Sequence, residues 1–97
     1  MKVILLVIDT LRADHLGCYG YHRDTSPCID KIAEEGVLFE YAYPTDVPTQ
    51  PSFTSMFTGL RGIETGIVSH SRSEVLPEEI LCFPEILSRR GIVTAAV

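Results

Sequence analysis

Residues 47–59 read Val-Pro-Thr-Gln-Pro-Ser-Phe-Thr-Ser-Met-Phe-Thr-Gly, a polar turn that runs into a short helix with a glycine at its end. Pro51 suits the first position of that helix, because its missing N–H would have no intrahelical partner there. Thr49 is then predicted at or just before the N-cap, and Gly59 ends the helix in a left-handed conformation. A hydroxyl at a helix start lies beside unpaired N–H groups and the positive end of the helix dipole, where phosphate or sulfate binds. Thr49 is therefore a candidate nucleophile towards such an anion, and a simple capping role is the alternative.

An aspartate follows the first apolar run of the chain. Residues 2–8 read Lys-Val-Ile-Leu-Leu-Val-Ile, a continuous and β-branched run that is typical of a strand buried on both faces of a parallel sheet. The run ends at Asp9, and ligands of open α/β sheets bind just past the carboxyl ends of the strands. Asp9 is therefore a candidate metal ligand, and a loop or capping role is the alternative.

The remaining elements alternate in a way that predicts the α/β class. The order strand, helix, strand, helix, helix, strand is typical of a sheet with helices packed on it. The helix after the first loop has Ser26 as its predicted cap, Pro27 in first position and Gly36 as its terminator. The predicted elements beyond those above are a loop at 11–26 with a helical turn near 12–16, a helix at 26–36, a strand at 37–43, a loop at 60–71, a helix around 83–90 and a strand at 92–97.

Composition and charge argue against several classes of protein. The chain has 97 residues and a net charge of −5, without a basic stripe, which argues against a nucleic-acid-binding surface. The apolar run at 3–8 is too short for a signal-peptide core or a transmembrane helix. The cysteines are three, an odd number without CxxC spacing, which favours a reducing compartment. We therefore expect a cytoplasmic protein, with secretion after removal of a leader as the open alternative.

Three stretches carry a family likeness when they are taken together. They are Asp-Thr-Leu-Arg-Ala-Asp-His-Leu-Gly-Cys-Tyr-Gly at 9–20, Ser-Pro-Cys-Ile-Asp-Lys-Ile-Ala-Glu-Glu-Gly-Val-Leu-Phe at 26–39, and the turn and helix at 47–59. In order and spacing they resemble the N-terminal part of sulfatases and their relatives in the alkaline phosphatase superfamily. The resemblance implies an alkaline-phosphatase-like α/β/α sandwich with a metal at the carboxyl ends of the strands. Residues 1–97 would then be the N-terminal, incomplete part of a sulfatase-like catalytic domain, which also fits the high mean hydropathy of +0.18.

The resemblance also implies roles for two residues. Asp9 matches the metal-ligand aspartate after the first strand, and Thr49 matches the nucleophile of the C-x-P-S-R motif, whose Cys sulfatases convert to formylglycine. This chain has Thr49 and Phe53 where the motif has Cys and Arg, and Thr10 where calcium-dependent sulfatases commonly have a second Asp. Formylglycine cannot be made from Thr. The Thr-x-Pro form instead looks like the phosphodiesterases and nucleotide pyrophosphatases of the superfamily, whose nucleophile is a metal-bound Thr.

The sequence therefore predicts a metal-dependent hydrolase of sulfate or phosphate esters. Thr49 would be the nucleophile, and Asp9 and Thr49 would both ligate one divalent ion, which is Ca, Zn, Mn or Mg. The expected partners are a small anionic ester and the remainder of the same chain, with no nucleic acid and no membrane segment in this stretch. The alternatives are a non-catalytic anion- or metal-binding member of the superfamily, a phosphodiesterase, or an enzyme like the phosphoethanolamine transferases.

We also expect residues 1–97 alone to be inactive and poorly stable. The remaining metal ligands of the resembled family come from later in such chains. Strands built for burial on both faces would be left uncovered in so short a piece.

Overall fold

The structure, a computed structural model, describes residues 2–96, which belong to two compact units, Met1–Ala42 and Tyr43–Val97. The α-helices are α1 (Pro27–Glu35), α2 (Thr49–Thr58), α3 (Gly62–Thr65) and α4 (Phe83–Arg89), and two 3-10 helices span Ala13–His15 and Gly17–Tyr19. The predicted helical turn near 12–16 and the predicted helices at 26–36 and 83–90 are therefore present. None of the helices between residues 2 and 96 is long and apolar enough to cross a membrane.

The three predicted strands are not formed in the part of the chain that the structure describes. Residues 2–8, 37–43 and 92–96 are without β-pairing, and the end of the third predicted strand, position 97, lies outside the described residues. A strand is defined by hydrogen bonds to a neighbouring strand, and these segments do not pair with one another. Their apolar side chains are exposed, as Val3 at 79% and Val93 at 94% show. The helical part of the α/β prediction is confirmed, and its sheet is not.

In the first unit, a hydrogen-bond network joins the start of α1 to the second 3-10 helix. The hydroxyl of buried Ser26 donates to the carboxylate of Asp30, at 3.0 and 3.1 Å from its two oxygens. The same hydroxyl accepts the backbone N–H of Gly17 at 2.9 Å, and Asp30 Oδ1 accepts the N–H of Cys18 at 2.7 Å. Ser26 is the N-cap residue of α1, as predicted, but its side chain makes no capping hydrogen bond to the helix. Its oxygen accepts the N–H of Gly17 instead of an N–H of the first helical turn.

In the second unit, stacked aromatic rings join α2 to α4. The rings of Phe57 and Phe83 have centroids 5.3 Å apart and planes 3° from parallel, and Phe53 lies 6.5 Å from Phe57 along α2. Ring pairs at such distances contribute about 0.5–1.5 kcal/mol beyond the area that they bury. The stack therefore fixes how α2, which carries Thr49, lies against α4.

The short helix α3 forms where the sequence predicts only a loop. Glu64 accepts the N–H of Arg61 at 2.9 Å, as in the second half of a capping box, and Gly66 ends the helix with φ of 76°. The buried Thr65 hydroxyl donates to the carbonyl of Gly62 at 3.2 Å and accepts the N–H of Ile67 at 3.2 Å. The sequence signals of this helix are a glutamate at its third position and a glycine after its fourth. The helix is too short to show the hydrophobic periodicity of longer helices.

Candidate active site

Thr49 is the first residue of α2 rather than its cap. Pro48 is the N-cap, with φ of −77° and ψ of −152°. The Ser52 N–H donates the first intrahelical hydrogen bond to the carbonyl of Pro48 at 3.1 Å. Pro51 is consequently the third helical residue and is fully buried. Pro51 therefore contributes no backbone N–H to the first turn. The end of α2 is as predicted, because Gly59 is left-handed at φ of 73°.

Asp46 fixes the turn that leads into α2. Its Oδ2 atom accepts the hydroxyl of Ser55 at 2.8 Å. The pKa of Asp46 is lowered, first by the hydrogen bond from Ser55 and then by the backbone N–H of Gly62. The half-buried carboxylate thus ties the turn before Thr49 to the second turn of α2 and to the start of α3. Sequence reasoning missed Asp46, whose only signal is its position in a loop just before the helix.

Gln50, the neighbour of Thr49, joins α2 to a later loop. Its side-chain carbonyl accepts the N–H of Ser71 at 3.1 Å, and its NH₂ group donates to the carbonyl of Glu74 over a long 3.4 Å. The Glu74 carboxylate accepts the N–H groups of Val68 and Ser69, at 3.0 and 3.1 Å, and the Ser69 hydroxyl at 2.7 Å. The hydroxyl and then the N–H of Ser69 lower the pKa of Glu74. We call residues 68–74 the serine loop; sequence reasoning predicted a loop here but not its attachment to α2.

Asp9 lies in an exposed turn of the first unit. Its Oδ1 atom accepts the N–H of Thr10 at 3.0 Å, and the Thr10 hydroxyl donates to its backbone carbonyl at 2.7 Å. Thr10 has φ of 59°, a left-handed conformation that is uncommon for a β-branched residue. The chain therefore turns sharply at the end of the apolar run. The left-handed conformation of Thr10 costs about 1–2 kcal/mol.

The polar residues after this turn form an exposed ion cluster. The guanidinium of Arg12 binds both oxygens of Asp14, and Nδ1 of His15 lies 2.8 Å from Asp14 Oδ1. The pKa of Asp14 falls well below its usual range, mainly because of the hydrogen bond from Arg12 and then that from His15. These three side chains thus satisfy one another at the surface.

Residues 2–96 do not contain a complete metal site of the kind that the sequence predicts. Asp9 belongs to the first unit and Thr49 to the second, so their meeting at one ion stays a prediction. No group of three or more His, Cys, Asp or Glu side chains among residues 2–96 is arranged to hold a metal. The chemistry of the two donors fits a hard divalent cation, because carboxylate and hydroxyl oxygens are what calcium and magnesium bind. Such ions take six or more ligands, so these two residues would be a minority of the site.

A cleft of about 400 Å³ runs along α2, beside the turn that Asp46 fixes. Ser52, Ser55 and Met56 of α2 line one side, and Tyr43 and Arg61 are among the residues of the other. Thr49 is not among the lining residues, so this cleft is a neighbour of the candidate nucleophile rather than its pocket.

Comparison with known proteins gives the family. The family model described as Sulfatase matches residues 2–97, which is nearly the whole chain. The chain therefore belongs to the sulfatase family. No solved structure matches it significantly.

Three relatives indicate the extent of the match. The chain is 30% identical to human N-acetylgalactosamine-6-sulfatase, with 99% of this chain and 20% of that protein aligned. It is 33% identical to mouse iduronate 2-sulfatase, over 100% of this chain and 18% of the relative. It is 32% identical to human arylsulfatase A, over 96% of this chain and 19% of the relative. The chain thus spans about a fifth of the length of the curated relatives that it matches.

Proposed function

We propose that the protein is a metal-dependent hydrolase of sulfate esters, in which Thr49 is the nucleophile. The observation that carries the proposal is membership of the sulfatase family over residues 2–97. The position of Thr49 at the first residue of α2 supports the second part, because a helix start favours the negative charge that develops at a sulfuryl group.

The residues around Thr49 support a preorganised nucleophile. Thr49 is half-buried, and the turn before it is held by Asp46 on Ser55. The side chain of the next residue, Gln50, is held by the serine loop. Groups that are fixed before the reaction need no reorganisation in the transition state, which is the main source of electrostatic catalysis.

The proposed reaction proceeds through a covalent ester of the protein. The Thr49 oxygen attacks the sulfur, a new S–O bond forms, and the S–O bond to the alcohol breaks, so the alcohol leaves with a proton. Water then attacks the same sulfur and releases sulfate, which restores the threonine hydroxyl. During both steps, N–H groups of the first turn of α2 would donate to the non-bridging oxygens.

A divalent cation would supply what the threonine lacks. A threonine hydroxyl is a weak nucleophile at neutral pH, and a bound cation lowers the pKa of such a group and polarises the ester oxygens. Asp9 would hold this ion together with Thr49 and with ligands from elsewhere in the protein.

The experiment is a turnover assay of the protein in its full natural length. The substrates are 4-nitrophenyl sulfate, 4-nitrophenyl phosphate and bis(4-nitrophenyl) phosphate, each before and after treatment with EDTA. Thr49→Ala should lower kcat by at least about 10³-fold, as loss of a nucleophile does. Thr54→Ala is the matched control, since it removes a threonine hydroxyl from the same helix and should keep turnover.

The outcomes separate the alternatives. Turnover that persists unchanged in Thr49→Ala would remove this residue from the mechanism. Metal binding without turnover of any of the three substrates would favour a non-catalytic member of the family. Faster turnover of the phosphate diester than of the sulfate would favour a phosphodiesterase, the chemistry that the threonine motif resembles.

A further inference from the structure

Helix α2 carries no charged side chain. Its ten residues read Thr-Gln-Pro-Ser-Phe-Thr-Ser-Met-Phe-Thr, with Phe53 where the resembled motif has Arg. Pro51 contributes no backbone N–H to its first turn. A cationic side chain that binds an anionic substrate at Thr49 would therefore come from another segment.

The serine loop is the segment that is bonded directly to the first turn of α2. Gln50 presents its carbonyl oxygen to the N–H of Ser71 and its NH₂ group to the carbonyl of Glu74, so the partners determine the orientation of the amide. The three hydrogen bonds that Glu74 accepts from the start of the same loop close it on itself. The loop is thus a small closed unit that Gln50 attaches to α2.

The serine loop carries one permanent cation, Arg72. This side chain is exposed and makes no ion pair with any other residue between 2 and 96. Arg72 follows Ser71 and Thr49 precedes Gln50 in the chain, so the hydrogen bond from the Ser71 N–H to the Gln50 side chain joins the residues next to both of them. The other arginines of the second unit lie elsewhere, Arg61 at the start of α3 and two at the end of α4.

We propose that Gln50 is a positioning residue, which holds the serine loop on the first turn of α2 so that Arg72 binds the anionic group of the substrate at Thr49. The inference rests on the proposed function, because it takes the ester to be bound at Thr49. A guanidinium group binds a sulfate or phosphate through two parallel hydrogen bonds, so it needs a defined direction of approach. The amide of Gln50 supplies that direction by restraining the loop next to Arg72.

The test measures binding and turnover separately in the full natural-length protein. The variants are Arg72→Met, Arg72→Lys, Gln50→Leu and the double variant, assayed with 4-nitrophenyl sulfate and with inorganic sulfate as competitive inhibitor. Arg72→Met should raise KM and the inhibition constant of sulfate about tenfold, which is about 1.4 kcal/mol, and should change kcat less than about twofold. Arg72→Lys should recover part of this loss, because it restores the charge without the fork.

The double variant tests whether Gln50 acts through Arg72. Gln50→Leu should raise KM less than Arg72→Met does, and Gln50→Leu with Arg72→Met should be no worse than Arg72→Met alone. Thr54→Val is the control, because it removes the hydrogen bond to the backbone carbonyl of Gln50 and leaves the serine loop untouched. Hydrogen exchange at the Ser71 amide should accelerate in Gln50→Leu and stay unchanged in Thr54→Val.

Three results would overturn the inference. They are a KM and an inhibition constant that do not change in Arg72→Met, additive effects in the double variant, and an unchanged exchange rate at Ser71 in Gln50→Leu. If Thr49→Ala loses turnover while Arg72→Met keeps the KM and the sulfate inhibition constant of the wild type, the proposed function stands and this inference is refuted. Normal turnover in Thr49→Ala would instead refute the proposed function.

Discussion

Replacement of Gly62 by alanine should destabilise the second unit. A Cβ at this position would lie 2.6 Å from the carbonyl oxygen of Ile67 and 2.9 Å from Asp46 Oδ1, where ordinary contacts begin at 3.4 Å. The nearest of these atoms belongs to the backbone of Ile67, which is only 2% exposed. The Thr65 hydroxyl also makes hydrogen bonds to the carbonyl of Gly62 and to the N–H of Ile67. The turn therefore cannot yield as the end of a flexible side chain would.

The expected magnitude is the difference of two effects. Forcing one extra carbon into a packed site costs about 1–3 kcal/mol, and the closest contact, with the backbone carbonyl of Ile67, places Gly62→Ala near the upper end. Alanine is better than glycine in a helix by about 0.8–1.0 kcal/mol, which opposes the clash. The net loss should be about 1–2 kcal/mol of unfolding free energy.

The measurement is urea unfolding of the full natural-length protein at constant m value, so that a shift of the midpoint reports stability alone. Gly59 provides the control, since nothing lies within 4 Å of its Cβ position and only its φ of 73° opposes a side chain. Gly59→Asn should consequently cost less than Gly59→Ala, because asparagine tolerates the left-handed conformation. A Gly62→Ala protein as stable as the wild type would refute the reasoning, as it would show that the Ile67 turn adapts freely.

Three further predictions concern other parts of the chain. Acidification should open the serine loop, because the pKa of the Glu74 carboxyl group is lowered from its ordinary value of 4.5 in the folded protein. Its contribution to stability is therefore complete above pH 4.5 and is lost as the pH falls through the lower pKa of the folded state. Faster amide exchange at Val68 would reveal this opening, and Glu74→Gln should reproduce it at about pH 7. Ser26→Ala should lower the unfolding free energy by about 1–2 kcal/mol, because it leaves the Gly17 N–H without its acceptor; an unchanged urea midpoint would contradict the network. Iodoacetamide should label exposed Cys28 faster than Cys18, whose pKa is raised first by burial and then by the Asp30 carboxylate, and equal rates in a mass-spectrometric time course would count against that assignment.

Helix punctuation was the part of the fold that sequence reasoning could predict. Pro27 opens α1, Gly59 closes α2 and Gly91, left-handed at φ of 78°, follows α4, because each residue has a backbone preference that acts locally. The start of α2 was misplaced because proline is tolerated throughout the first turn of a helix, and here Pro51 takes the third position instead of the first.

The sheet and the contacts around Thr49 could not be predicted in the same way. An apolar run such as 2–8 indicates that burial is favourable, but strand formation depends on a pairing partner that the run itself does not specify. Gln50 contacts Ser71 across 21 positions of sequence, and neither residue type is characteristic of such a bond. Asp9 and Thr49 were chosen from position and family likeness, and their shared ion stays a prediction.

The unpaired runs have a consequence for the order of folding. Each described helix is held by hydrogen bonds over short sequence distances, and contacts of that kind form within microseconds. The apolar runs at 2–8, 37–43 and 92–96 are exposed and unpaired in the described part of the chain, and pairing over long sequence distances is slow. Any pairing that these runs make would therefore follow helix formation, and until then their exposed apolar side chains and unpaired edges favour association with other chains.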